Sequence, residues 1–139
     1  MNKSKYLYFN SRDEFFRVDV SKIIYFEGDG NYTNFILNNN QRGTVLMNLS
    51  QMQTVLSDSL KEDASIFARI GKRFIINLNY VYHIEVLKQR LTLSDGEAFS
   101  YQLTISKEAL KKLKEMYIAY IAGNQSISGI IKETNNDNQ

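Results

Sequence analysis

The stretch Phe67-Ala68-Arg69-Ile70-Gly71-Lys72-Arg73 places three cations within five residues and runs straight into the apolar, β-type segment Phe74-Ile75-Ile76-Asn77. Arg69, Lys72 and Arg73 therefore belong where a strand begins, on or beside a turn that Gly71 permits. Long basic side chains on a loop braced by a buried strand suit an anionic partner, and a nucleic acid backbone is the commonest large one. The plain alternative is a solvated strand start, since short basic runs are common. Charge is unevenly spread: residues 67–114 hold 9 Lys and Arg against 4 Asp and Glu, residues 1–66 hold 7 against 8, and residues 115–139 hold 1 against 3. With a net charge of only +2, this is the pattern of one basic face on an otherwise balanced protein.

Other chemistry is poorly provided for. Without cysteine there is no disulfide framework, thiolate nucleophile or cysteine metal site. The single histidine, His83, lies in an alternating segment and reads as a packed or surface side chain rather than a base or ligand. No HExxH, P-loop or Gly-x-Ser-x-Gly occurs, and Gly28-Asp29-Gly30 lacks the third glycine and following helix of a dinucleotide site. Asp29, Asp58, Asp63 and Asp95 fall in turns or loops without an evident partner. A binding protein is expected, not an enzyme, and no cofactor.

The elements that must position the basic stretch follow from the pattern on either side of it. Nine tyrosines, eight phenylalanines and no proline favour a β-rich domain. Lys5–Phe9 and Phe15–Val18 read as an antiparallel pair around the turn at Asn10-Ser11-Arg12-Asp13. Ile23–Phe26 is a short, continuously apolar strand ending at Glu27-Gly28-Asp29-Gly30-Asn31. Tyr32–Leu37 and Arg42–Asn48 form the next hairpin. Ser50 and Gln53 have the spacing of a capping box, and Met52, Val55 and Leu56 give the helix behind it one apolar stripe. Beyond the basic stretch and its strand, Arg73–Leu78, the segment Tyr80–Leu87 alternates, with Tyr80, Tyr82, Ile84 and Val86 on one face and Val81, His83, Glu85 and Leu87 on the other. Leu91–Leu93 turns at Ser94-Asp95-Gly96 into a strand that puts Phe99, Tyr101 and Leu103 on one side. Ser106 is placed to cap a last helix with the stripe Leu110, Leu113, Tyr117 and Tyr120, which Gly123 ends. No apolar run approaches the roughly 18 residues of a membrane span, and Met1–Phe9 lacks the apolar centre of a signal peptide. A cytoplasmic protein without membrane contact is the expectation, with one domain over residues 1–122 and a disordered polar tail over 123–139.

Four of these features stand in a telling order: Ile24-Tyr25-Phe26-Glu27-Gly28-Asp29-Gly30-Asn31-Tyr32, the helix near Leu49–Leu60, Phe67 through Asn77, and Leu103-Thr104-Ile105-Ser106-Lys107 before a Leu-rich basic helix. In order and spacing they resemble the LytTR DNA-binding domain over roughly Tyr6 to Tyr117. The resemblance implies a mostly β fold, an elongated sandwich of short antiparallel sheets with one short internal helix and a C-terminal helix. It implies a sequence-specific, DNA-binding transcriptional regulator whose loops enter the grooves of double-stranded DNA, and a homodimer on repeated half-sites. Members commonly follow a receiver domain in bacterial response regulators, and this chain looks like a stand-alone member. Carried over by motif, the contacts are Asn31, Thr33 and Asn34 after the first loop, Arg69, Lys72 and Arg73 in the basic stretch, and Lys107 before the last helix. Gly71 stands where the family usually has a histidine, and Lys107 where it has arginine. Lysine is a poorer two-pronged reader of guanine than arginine, so general DNA affinity is expected to survive these changes better than base preference. The competing reading is a protein-interaction module that keeps the fold and binds through its β edges or aromatic faces.

Overall fold

A computed structural model describes residues 5–123. At its centre is a five-stranded antiparallel sheet in the order β5-β4-β3-β7-β6, formed by β3 (Ile23–Asp29), β4 (Tyr32–Leu37), β5 (Arg42–Val45), β6 (Phe67–Ile70) and β7 (Phe74–Asn77). The continuous apolar runs in β3 and β7 have a physical reason. Both strands lie inside this sheet, and both of its faces are covered, so neither side of the strand meets water. Tyr25, Ile36, Ala68 and Ile76 share one face, where they pack with Leu91, Leu93 and Leu103 of a three-stranded sheet and with Leu110 and Leu113 of the last helix. Phe26, Phe35 and Ile75 face the other way, onto the hairpin of β1 (Tyr6–Asn10) and β2 (Phe15–Asp19) and onto helix α1 (Leu49–Leu60).

The smaller sheet has the order β10-β9-β8, from β8 (Val81–Glu85), β9 (Arg90–Ser94) and β10 (Ser100–Thr104), and helix α2 (Lys107–Ala122) follows it. Hydrogen bonds between elements lock the layers. The Tyr80 hydroxyl donates to the Ser21 carbonyl at 2.8 Å, and the Tyr120 hydroxyl donates to Asn79 Oδ1 at 2.9 Å. The fold is thus mostly β, in several antiparallel sheets with two helices, as the sequence implied.

Two local expectations are corrected. The capping box sits two residues earlier than the Ser50/Gln53 pair: Asn48 Oδ1 accepts from the Gln51 N–H and Gln51 Oε1 from the Asn48 N–H, both at 2.8 Å. Burial of Leu49 explains the shift, because its side chain is needed in the core as the first helical residue, against Gly28. The alternation through Tyr80–Leu87 is also broken. A register shift between Val81 and His83 turns Tyr82 and His83 both outward, as a bulge does. Ser106 caps α2 as expected, its Oγ accepting from the Ala109 N–H at 3.2 Å. Gly123 closes that helix; the rest of the expected polar tail lies outside the described residues.

Candidate nucleic-acid interface

One end of the five-stranded sheet collects the candidate residues. β3 turns into β4 through Gly30 and Asn31, and Gly30 at φ 60° supplies the positive φ that a two-residue turn requires at its first position. β7 pairs antiparallel with β3, Phe74 opposite Glu27, so the Gly71-Lys72-Arg73 turn lies at the same end. The Gly28 N–H donates to the Arg73 carbonyl at 2.8 Å and ties the two turns together. Gly71, also at φ 60°, points the place of a missing Cβ into open space. The start of α2 reaches this end as well: Arg69, Ile70 and Gly71 line a groove of about 250 Å³ with Ser106, Glu108 and Lys112. All three regions expected to act together are therefore neighbours.

Within this tip the side chains differ sharply in what they can offer. Asn31, Lys72 and Lys107 are exposed. Arg73 is exposed too, but its guanidinium meets Glu27 Oε2 at 2.7 Å and lies 5.6 Å over the Phe74 ring. Asn34 is half-buried, and its Oδ1 accepts from the Thr44 hydroxyl at 2.6 Å, which leaves its amide N–H groups for other partners. Thr33 is fully buried, and its hydroxyl donates to the Met47 carbonyl at 2.8 Å. That bond pins the segment after β5 beneath the tip, so Thr33 shapes the surface without reaching it. Arg69 faces α1, where Nη1 donates to Ser50 Oγ at 3.0 Å and to Gln53 Oε1 at 3.2 Å. Its Nη2 donates to the Lys72 carbonyl at 3.1 Å.

Sequence reasoning missed three members of this arrangement. Glu27 lies 46 residues from Arg73 and shows no local sign of the pairing. Ser50 and Gln53 looked like a helix cap; from the first two turns of the helix they point at Arg69 instead. The separation of 19 and 16 residues hid this. His83, set apart in the sequence as a non-ligand, is exposed, with Nδ1 3.7 Å from Glu85 Oε1. Around it, Arg90 holds the Glu85 carboxyl below the usual range by hydrogen bonding at 2.8 Å.

Comparison with known proteins gives the family. Residues 13–118 match the LytTr DNA-binding domain. Two curated relatives from Paraburkholderia xenovorans (strain LB400), the heme-containing CO-sensing transcriptional regulators RcoM 1 and RcoM 2, are 30% and 29% identical over 100 residues. Each match covers 71% of this chain and 34% of the relative, so the chain spans about a third of their length. Among solved structures, a LytTr DNA-binding domain from Bacillus cereus superposes with a TM-score of 0.56 at 21% identity, covering 83% of this chain and 97% of that one.

Proposed function

The chain belongs to the LytTr DNA-binding domain family, and from that membership and the layout of the sheet tip we propose that it is a sequence-specific DNA-binding regulator of transcription. The observation that carries the reading is that exposed Asn31, Lys72 and Arg73 lie in adjoining turns at one end of the sheet, where Ser106, next to exposed Lys107, lines a groove with Gly71. Lysines and arginines there neutralise phosphates, and such contacts fix register on the duplex without reading sequence. Base reading falls to Arg73, whose fork can address O6 and N7 of one guanine, and to Asn31 and Asn34, which suit adenine. Arg73 must leave Glu27 or share it, which makes Glu27 a brake on the tip's affinity. The tip reads through turns, because among the described residues both helices bury an apolar stripe against a sheet. As one domain over residues 1–122, the chain would act in the cytoplasm, where the DNA is; among the described residues no helix is long and apolar enough to cross a membrane.

A second reading, a protein-interaction module, is favoured by one feature. A cleft of about 660 Å³ beside the tip is lined by Tyr8, Phe16, Tyr32, Leu46 and Met47, three of them substantially exposed. Selection of bound sequences from random duplex DNA separates the readings. Enrichment of a common motif is expected. Retention of DNA without enrichment would reduce the function to nonspecific binding, and no retention at low salt would leave the interaction module.

A further inference from the structure

We infer that Arg69 is a positioning residue, which presets the Gly71-Lys72-Arg73 turn for DNA by strapping it to the first turns of α1. The inference rests on the DNA-binding reading of the tip. Its basis is the division of the guanidinium between two elements. Nη1 holds Ser50 Oγ and Gln53 Oε1 on α1, while Nη2 holds the Lys72 carbonyl in the turn itself.

The turn needs such a strap. It joins β6, an edge strand, to β7, and β6 pairs on one side only. Gly71 takes a positive φ, and no atom outside its chain neighbours would lie within 4 Å of a Cβ there, so packing does not hold the loop at that point. Outside the β6–β7 ladder, two backbone-directed bonds grip the turn among the described residues. The Gly28 N–H grips the Arg73 carbonyl at 2.8 Å, and Arg69 grips the carbonyl of the residue before it at 3.1 Å. Consecutive carbonyls are thus fixed from the two sides of the loop, and the Lys72 and Arg73 side chains leave the loop in set directions. Binding then costs less ordering entropy, which is how preorganisation raises affinity. No carboxylate lies within ion-pair distance of Arg69 among the described residues. Its charge adds to the field of the tip, while three of its five N–H donors bond within the fold. A planar fork that reaches acceptors on two elements at once is a task lysine cannot take over.

The test uses substitutions that separate charge from geometry. Arg69→Lys keeps the cation and removes the fork. The Ser50→Ala, Gln53→Ala pair removes the α1 side of the strap and no cation at all. Affinity for a DNA ligand of wild type, the salt slope, and backbone 15N order parameters of Gly71 and Lys72 are measured on each, with Gly96 in the β9–β10 turn as internal reference. Both variants should lower affinity by about tenfold, the effect expected when charge-assisted bonds holding a loop are removed. Both should also loosen Gly71 and Lys72 relative to Gly96. Lys72→Ala should cost less in the Ser50→Ala, Gln53→Ala background than in wild type, the mark of coupling. If the paired variant binds as wild type, or if the turn loosens with no change in affinity, the positioning role is wrong. If Arg69→Lys alone binds as wild type, Arg69 acts as a charge. Failure of wild type to bind any duplex would instead overturn the DNA reading, and the order parameters would still decide whether Arg69 holds the turn.

Discussion

On the proposed reading, Arg73 serves both the free and the DNA-bound protein. In the free state it is tied to Glu27, across a strand pair whose register is set by Phe74 opposite Glu27. An ion pair whose guanidinium stays exposed adds little to stability, about 0–1 kcal/mol, so its consequence is for binding. Glu27→Gln should raise DNA affinity and steepen its salt dependence, read by fluorescence anisotropy, with little change in the melting temperature. Weaker binding by this variant would mean that Glu27 aims Arg73 at the DNA instead of withholding it. Arg73→Lys should lower discrimination between a selected site and random DNA more than it lowers nonspecific affinity, because charge survives and the bidentate fork does not. The cation cluster was legible in the sequence because its members are adjacent. What each cation does was not, because the partners Glu27, Ser50 and Gln53 come from β3 and α1.

At the scale of elements, strand identity followed from apolar runs and glycine turns, and the errors arose where burial overrode local chemistry. Leu49 had to enter the core, so Asn48 took the cap that Ser50 could have supplied. The bulge in β8 left no trace in a segment whose alternation looked clean. Gly43 illustrates a constraint on β5 that is invisible in sequence: a Cβ there would come within 2.2 Å of the Phe35 ring, which is buried between Phe9 and Phe16. Gly43→Ala should destabilise the fold by about 1–3 kcal/mol through overpacking, measured by urea denaturation at unchanged m-value. The turn between β9 and β10 carries a pH dependence. Asp95 Oδ1 accepts from the N–H groups of Glu97, Ala98 and Phe99, and the Glu97 bond is the largest of the causes that lower its pKa. Glu85 is lowered in the same direction, chiefly by Arg90. A carboxyl whose folded pKa lies below its unfolded value stabilises the protein above the unfolded pKa, and that stability is lost as pH falls through the folded one. Melting temperature should therefore begin to fall below about pH 4.5 and continue falling through the lower folded values. The decline should be shallower in Asp95→Asn and Glu85→Gln.

For the molecule as a whole, the central sheet divides two cores and gathers the candidate turns at one end. Phe26 and Ile75 look toward α1, while Tyr25 and Ile76 look toward α2, so each turn of the tip is anchored on both faces. The order of motifs made this architecture readable from sequence, since strands buried on both faces advertise themselves as unbroken apolar runs. The layering did not show, because nothing local says which face α1 or the β1–β2 hairpin covers. A charge of +5 over residues 67–114, against −3 for the rest of the chain, fits the proposed protein, which meets DNA with one basic end. The most direct test is a salt titration of affinity for pooled genomic fragments, comparing wild type with a Lys72→Ala, Arg73→Ala, Lys107→Ala variant. Wild type should bind at low salt and weaken steeply as salt rises. The variant should bind less well, with a slope shallower by roughly 0.9 for each phosphate it no longer neutralises. Equal affinity and slope for the two proteins, or no binding by wild type at low salt, would contradict the assignment of this tip to DNA.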